Sequence, residues 1–202
     1  MKTIEYFNSD GSLREVGSLV SDLHVAGYHC SEALIRALWQ HLLPEKNLDE
    51  SILKMTATLH GGMAESMSSH CGGLTIGILI IGAVYGRSDA NGDARYDAAL
   101  ARGFWQRFLN EFGTSHCSTL KRQEFTDGAS SRCTYIMMRS ARMLLEYLDE
   151  LKKNPVQKEE LYYWRVDRTK EPCHEQIALL KPAEEIKAEL IKKQGQQQEL
   201  NQ

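Results

Sequence analysis

Four of the five cysteines in the chain have similar local settings, each just before a run of residues with helical spacing. Cys30 precedes SEALIRAL, Cys71 precedes GGLTIGIL, Cys117 precedes STLKR and Cys133 precedes TYIMMRSA. The free N–H groups and the positive dipole end of a helix start both stabilise a thiolate, which is the form of cysteine that attacks electrophiles and binds metals. The repeated setting therefore predicts a chemical task shared by the four thiols.

The elements that must position these cysteines are helices, because apolar residues recur at helical spacing almost throughout and strand signals are nearly absent. We predict an all-α helical bundle. The fourth helix, from about Cys71 to Tyr85, is apolar on every side and is expected to be central and fully buried. The pair Gly61-Gly62 is expected to cap the third helix. The other helices are predicted where apolar residues recur at helical spacing, which they do from Leu13 to Leu23, Leu34 to Leu42, Ile52 to Leu59, Tyr96 to Phe108 and Ile136 to Leu151.

The order of the helices predicts that the four thiols meet. Short loops require the second to fifth helices to alternate in direction, as in other bundles. Cys30 and Cys71 then begin the two helices that run the same way, and Cys117 follows the end of a helix that returns to that pole. Cys133 lies a short connection later, so we expect all four at one end of the bundle.

The cysteine blocks also resemble a known family. In CGGLTIGILIIGAVYG, the matching positions are Cys71, Gly72, Leu74, Thr75, Gly82, Tyr85 and Gly86, while Ile76 stands where a glycine is expected and Gly77 fills the next place. The blocks FLNEFGTSHCSTL and RCTYIMMRSARML match at Phe112, Gly113, Cys117 and Cys133. Over roughly residues 15–150 the chain resembles the redox-active family named after its pattern, C_GCAxxG_C_C.

This resemblance implies a metal or redox cofactor held by the cysteines, because a related module occurs in split-Soret-type cytochromes, which carry haem and an iron–sulfur centre. Four thiolates are the common ligand set of [2Fe–2S] and [4Fe–4S] clusters. The leading interpretation is a redox protein, an oxidoreductase or electron carrier, that passes electrons to a partner protein through an iron–sulfur cluster. Its predicted ligands are Cys30, Cys71, Cys117 and Cys133.

Other interpretations stay open. Four thiolates also suit zinc in a non-redox helical scaffold, and two of the cysteines could instead form a reversible disulfide. Haem would have to be bound non-covalently, because the chain has no C-x-x-C-H motif. The plainest interpretation is four buried structural cysteines.

Histidines accompany the cysteines. His29, His70 and His116 each directly precede one of them, and His70 is the candidate for an additional ligand because it adjoins the central helix. Cys173 lies outside the family-like pattern, and we expect it to be idle.

Composition restricts the remaining function classes. A formal charge of -3 gives no basic field for nucleic acid, and no apolar run reaches the roughly 20 residues that span a bilayer. The first residues lack the apolar core of a signal peptide, so we expect a cytoplasmic protein.

Residues 1–153 are predicted to form the bundle. Residues 154–202, which combine aromatic residues with a charged, Gln-rich end, are predicted to form a docking arm of a homodimer.

Overall fold

A computed structural model describes residues 4–92, 94–123 and 131–156, which all belong to one unit of the chain, Met1–Leu161. Within these residues the fold is all-α, as predicted, with seven helices and two isolated β-bridges. The helices are α1 (Val16–Val25), α2 (Cys30–Leu42), α3 (Glu50–Ala57), α4 (Gly72–Tyr85), α5 (Ala94–Phe112), α6 (Cys117–Arg122) and α7 (Arg132–Lys153).

Helix α4 lies in the middle of the bundle and packs against α2, α5 and α7, while α1 packs against α2 and α7. Two glycines of α4 permit this close packing. A Cβ built on Gly77 would lie 2.2 Å from Cε1 of Phe104, and one built on Gly73 would lie 2.5 Å from Oγ of Ser140. Gly77, one residue later than the family-like pattern expects, therefore makes room for a fully buried aromatic ring of α5.

The prediction that α4 is buried on all sides was wrong for its second half. The first two turns are largely buried, but Leu79 is 43% exposed and a Cβ built on Gly82 would meet no atom within 4 Å. The three neighbouring helices cover most of α4 and leave the face that carries Leu79 to solvent. A uniformly apolar sequence cannot indicate which face lacks a neighbour.

Two predicted helix limits were also wrong. Leu13 lies before α1, in an isolated antiparallel bridge with Phe7. Helix α3 ends at Ala57, so Gly61 and Gly62 do not cap it. They begin a separate turn with positive φ angles, which is described with the site below.

Helix α1 is held to α7 by a carboxylate with two roles. Glu15 accepts hydrogen bonds from the backbone N–H groups of Gly17 and Ser18, which caps the helix start. The same carboxylate accepts from Nε and Nη2 of Arg142 at 2.7 and 2.9 Å. Gly17 leaves the necessary space, because a Cβ there would lie 2.7 Å from the guanidinium.

No described helix has the length and apolar character needed to cross a membrane. Of the predicted docking arm, 154–202, all but the first three residues lie outside the described residues, and so does Cys173. The homodimer and the idle role of Cys173 therefore stay predictions.

Candidate functional site

The four cysteines occupy the helix starts where the sequence predicts them. Cys30 and Cys117 are the first residues of α2 and α6. Cys71 is the N-cap of α4, and its sulfur accepts from the backbone N–H of Gly73 at 3.4 Å. Cys133 is the second residue of α7. The four helices therefore present their N-terminal ends to the same region.

All four cysteines line one cavity of about 110 Å³. This volume is well above the roughly 10–15 Å³ that one water molecule requires. All four thiols are free. The convergence that we expect from the order of the helices is thus found in the described part of the chain.

The thiols share the cavity without being tightly clustered, since no three of the four sulfurs lie within 4.8 Å of one another. Glycines bring the backbone close to two of them. A Cβ built on Gly72 would lie 2.7 Å from Sγ of Cys30, and one built on Gly62 would lie 2.7 Å from Cβ of Cys117. Any side chain at these two positions would displace a cysteine.

Burial dominates the electrostatics of the thiols. Cys71 and Cys117 are only 7% and 6% exposed. Burial raises the pKa of all four thiols, most strongly that of Cys71. The positive charge of Lys121 opposes this rise in the pKa of Cys30, Cys117 and Cys133. The sequence-based expectation of stabilised thiolates does not hold for the metal-free protein, because desolvation is the largest influence on each thiol and raises its pKa.

A left-handed turn forms one wall of the cavity. The φ angles of Gly61, Gly62, Met63, Ala64 and Glu65 are all positive, between 49° and 71°. Left-handed backbone costs a non-glycine residue roughly 1–2 kcal/mol. Three successive non-glycine residues in this conformation therefore carry substantial strain, of the kind that concentrates at functional sites.

The turn and the residues after it place polar and sulfur-containing groups beside two of the cysteines. The backbone N–H of Gly61 partly offsets the effect of burial on the pKa of the Cys30 thiol. Beyond the turn, Met67, which also has positive φ, places Sδ 3.8 Å from Sγ of Cys117. The strained backbone thus contacts two of the four candidate ligands.

The sequence analysis missed several residues that line the same cavity. They are His24, His60, Glu65, Met67 and Lys121. Their spacing along the chain contains no signal, because they come from three different segments that only the tertiary fold brings together. His24 forms a hydrogen bond with Thr134 through Nδ1, and burial lowers the pKa of its imidazole.

The three histidines that precede cysteines differ in their position relative to the cavity and in their contacts. His29 lines the cavity. The candidate additional ligand His70 packs its ring edge-on against Trp105, with ring centroids 4.7 Å apart, and pairs through Nδ1 with Ser115. His116 pairs through Nδ1 with Ser118. Neither His70 nor His116 is among the residues that line the cavity.

Comparison with known proteins agrees with this arrangement. No curated protein and no solved structure gives a significant match to the chain. A family model described as "Putative redox-active protein (C_GCAxxG_C_C)" matches residues 28–147, a span that contains all four cavity cysteines. Because this match covers more than half of the 202 residues, the chain belongs to the C_GCAxxG_C_C family.

Proposed function

We propose that this chain is a redox protein that transfers electrons through an iron–sulfur cluster held by Cys30, Cys71, Cys117 and Cys133. The observation that carries the proposal is the convergence of four free thiols, from the starts of four helices, on one cavity. Four cysteine thiolates are the usual ligands of both [2Fe–2S] and [4Fe–4S] clusters.

The spacing of the sulfurs supports a group larger than a single ion. Four thiolates around one zinc at 2.3 Å lie about 3.8 Å from each other. Here every set of three thiols includes a pair of sulfurs more than 4.8 Å apart. A polynuclear group fits this wider arrangement with less movement of the helices than a single ion would need.

The residues around the cavity would bind and tune such a group, which supplies reversible one-electron chemistry when present. The backbone N–H of Gly73 donates to the sulfur of Cys71, and hydrogen bonds to ligand sulfur raise a reduction potential. The ammonium of Lys121 would favour the more negative, reduced state in the same way. Low exposure of Cys71 and Cys117 would keep water from the centre.

A thiol–disulfide function has less support. A thiol that exchanges disulfides needs an accessible thiolate, and its pKa is usually lowered toward the ambient pH. In this protein burial raises the pKa of every cavity thiol. Metal binding removes this obstacle, because the metal replaces the proton on each sulfur.

The test is the absorbance and composition of protein produced with sufficient iron and purified without air. We expect a brown protein with sulfur-to-iron charge-transfer bands and comparable amounts of iron and acid-labile sulfide. A colourless protein with about one zinc per chain, which Cys71→Ala loses, would refute the cluster and favour the scaffold. Iron without sulfide, together with an intense haem band, would refute it in favour of non-covalent haem.

A further inference from the structure

Three side chains outside the cysteine set meet at the edge of the same cavity. One ligand atom each of His29, His60 and Glu65 lies within 4.8 Å of the other two. All three residues line the cavity, and His29 and Glu65 are exposed. The cavity therefore reaches the surface at this trio.

Three separate backbone segments bring the trio together. His29 is the N-cap of α2, and His60 follows the end of α3. Glu65 lies in the left-handed turn with φ of 55°. The two imidazole rings are stacked, with centroids 4.1 Å apart and planes inclined by 8°. The strained turn is thus what brings a carboxylate to a pair of histidines.

The hydrogen bonds of His60 fix which of its nitrogens can bind an ion. Its Nδ1 lies 2.5 Å from the carbonyl oxygen of Ala57. A carbonyl only accepts, so Nδ1 carries a proton and donates it. A backbone carbonyl in this role is the usual partner of a metal-binding histidine, since it leaves the other nitrogen free to coordinate.

The second nitrogen of His60 faces a group that also cannot donate. Its Nε2 lies 3.3 Å from Oε1 of Glu65. With Nδ1 already protonated, a neutral His60 would direct a lone pair at an ionised carboxylate. A cation between the two atoms makes this contact favourable, and that cation is either a second proton on the ring or a metal ion.

We propose that a divalent transition-metal ion of borderline softness, such as Zn²⁺ or Fe²⁺, binds His29, His60 and Glu65, separately from the four cysteines. Two imidazoles and one carboxylate are a common ligand set for such ions. Two ligands about 2.1 Å from a tetrahedral ion lie about 3.4 Å apart, close to the 3.3 Å between His60 and Glu65. An ion must lie in the plane of each imidazole that binds it, so one of the two parallel rings turns when the ion binds. The inference does not depend on what the cysteines hold.

The experiment uses full-length, anaerobic protein dialysed to equilibrium against Zn²⁺, with bound ions measured by mass spectrometry. We expect the wild type to bind one ion more than His60→Gln or Glu65→Gln. His29→Asn keeps a good N-cap residue and should weaken the same ion. The loss of affinity should exceed about 100-fold, because even an outer-shell partner of a metal contributes roughly 10–100-fold.

Matched controls come from the same part of the chain. His41→Gln removes a histidine of α2 whose two nitrogens contact backbone carbonyls of Ala37 and Arg14. Glu45→Gln removes an exposed carboxylate. Both should bind as many ions as the wild type. Equal binding by the wild type and all three site variants would refute the site and leave His60 and Glu65 as an ion pair.

Co²⁺ separates this site from the cysteine centre. A cobalt ion bound by nitrogen and oxygen gives only weak visible bands, whereas thiolates add intense near-ultraviolet charge transfer. We expect Glu65→Gln to lose the weak visible component and to keep any thiolate bands. If Glu65→Gln changes only thiolate bands, the proposed trio is wrong even if the cysteines bind metal. If the weak component responds in protein that contains no iron and no acid-labile sulfide, the cysteine proposal fails alone.

Discussion

Gly72 of α4 lies directly against the sulfur of Cys30 at the start of α2, where a Cβ would come within 2.7 Å of Sγ. Gly72 follows Cys71, so one Cys-Gly pair supplies one candidate ligand and the space for another. A glycine is required here by close approach of a neighbouring side chain, since its φ angle is not positive. This contact links the starts of α2 and α4.

Gly72→Ala should therefore damage the cysteine centre without unfolding the bundle. The added methyl group must push the Cys30 sulfur away, and displaced ligands bind poorly, so we expect roughly tenfold less iron per chain. Thermal unfolding should change little. Gly82→Ala in the same helix is the control, because its Cβ would meet nothing within 4 Å. Normal iron content in Gly72→Ala would show that Cys30 is not a ligand.

The second prediction concerns the cysteines as a set. Any single substitution of a cavity cysteine by alanine should remove the cofactor, with a loss of at least roughly tenfold in bound iron and sulfide. The four variants are Cys30→Ala, Cys71→Ala, Cys117→Ala and Cys133→Ala. Cys173→Ala is the control and should retain both, since Cys173 lies outside the matched residues 28–147. If Cys71→Ala keeps its colour, or Cys173→Ala loses it, the ligand set has been chosen wrongly.

The sequence predicts those features of the fold that depend on local signals. Helix starts at the four cysteines follow from spacing, and their convergence follows from alternating helix directions. The raised pKa values of the thiols do not follow, because burial depends on which helices pack around them. Exposure of Leu79 was missed for the same reason.

The left-handed turn is the part of the site that sequence rules predict least. Met63, Ala64 and Glu65 are residue types that avoid positive φ, so nothing local indicates their conformation. The surroundings hold them there instead, with backbone hydrogen bonds from Ala64 to Thr58 and from Met67 to Gly61. Because the turn was missed, the position of Glu65 beside His60 was missed with it.

The third prediction is that metal binding by the cysteines strengthens as pH rises. Burial raises the pKa of each thiol, so each remains protonated at neutral pH and loses its proton only when metal binds. Affinity for Cd²⁺ should therefore rise about tenfold per pH unit for every proton released. Calorimetry of apo His60→Gln in buffers of different ionisation enthalpy counts these protons. Release of less than one proton would contradict protonated thiols.

The fourth prediction concerns acid stability. The Arg142 guanidinium, helped by the N–H groups of Gly17 and Ser18, lowers the pKa of Glu15 from 4.5 to about 2. A lowered carboxyl pKa stabilises the fold above pH 4.5, and this contribution is lost as the pH falls from 4.5 toward 2. Because the ion pair is partly exposed, its screened contribution together with the cap is about 1 kcal/mol.

Glu15→Gln should thus lower the free energy of unfolding at pH 7 by about 1 kcal/mol and make little difference near pH 2. Urea unfolding at several pH values measures this directly. Glu50→Gln is the matched control, since Glu50 pairs with Lys54 on the surface and its side chain is 79% exposed. An equal loss from Glu50→Gln, or a loss from Glu15→Gln that does not depend on pH, would remove the role assigned to Glu15.

The fifth prediction tests strain in the turn beside the cysteines. Ala64 is exposed and has φ of 49°, where an alanine Cβ is disfavoured and glycine is not. Ala64→Gly should raise the free energy of unfolding by up to about 1 kcal/mol, and bound iron should stay unchanged because the backbone path is kept. Ala83→Gly, at an exposed position inside α4, should instead lower it by about 1 kcal/mol. Opposite signs from the same substitution would establish that the turn is left-handed in solution, whereas destabilisation at both positions would mean that residues 61–65 adopt ordinary backbone there.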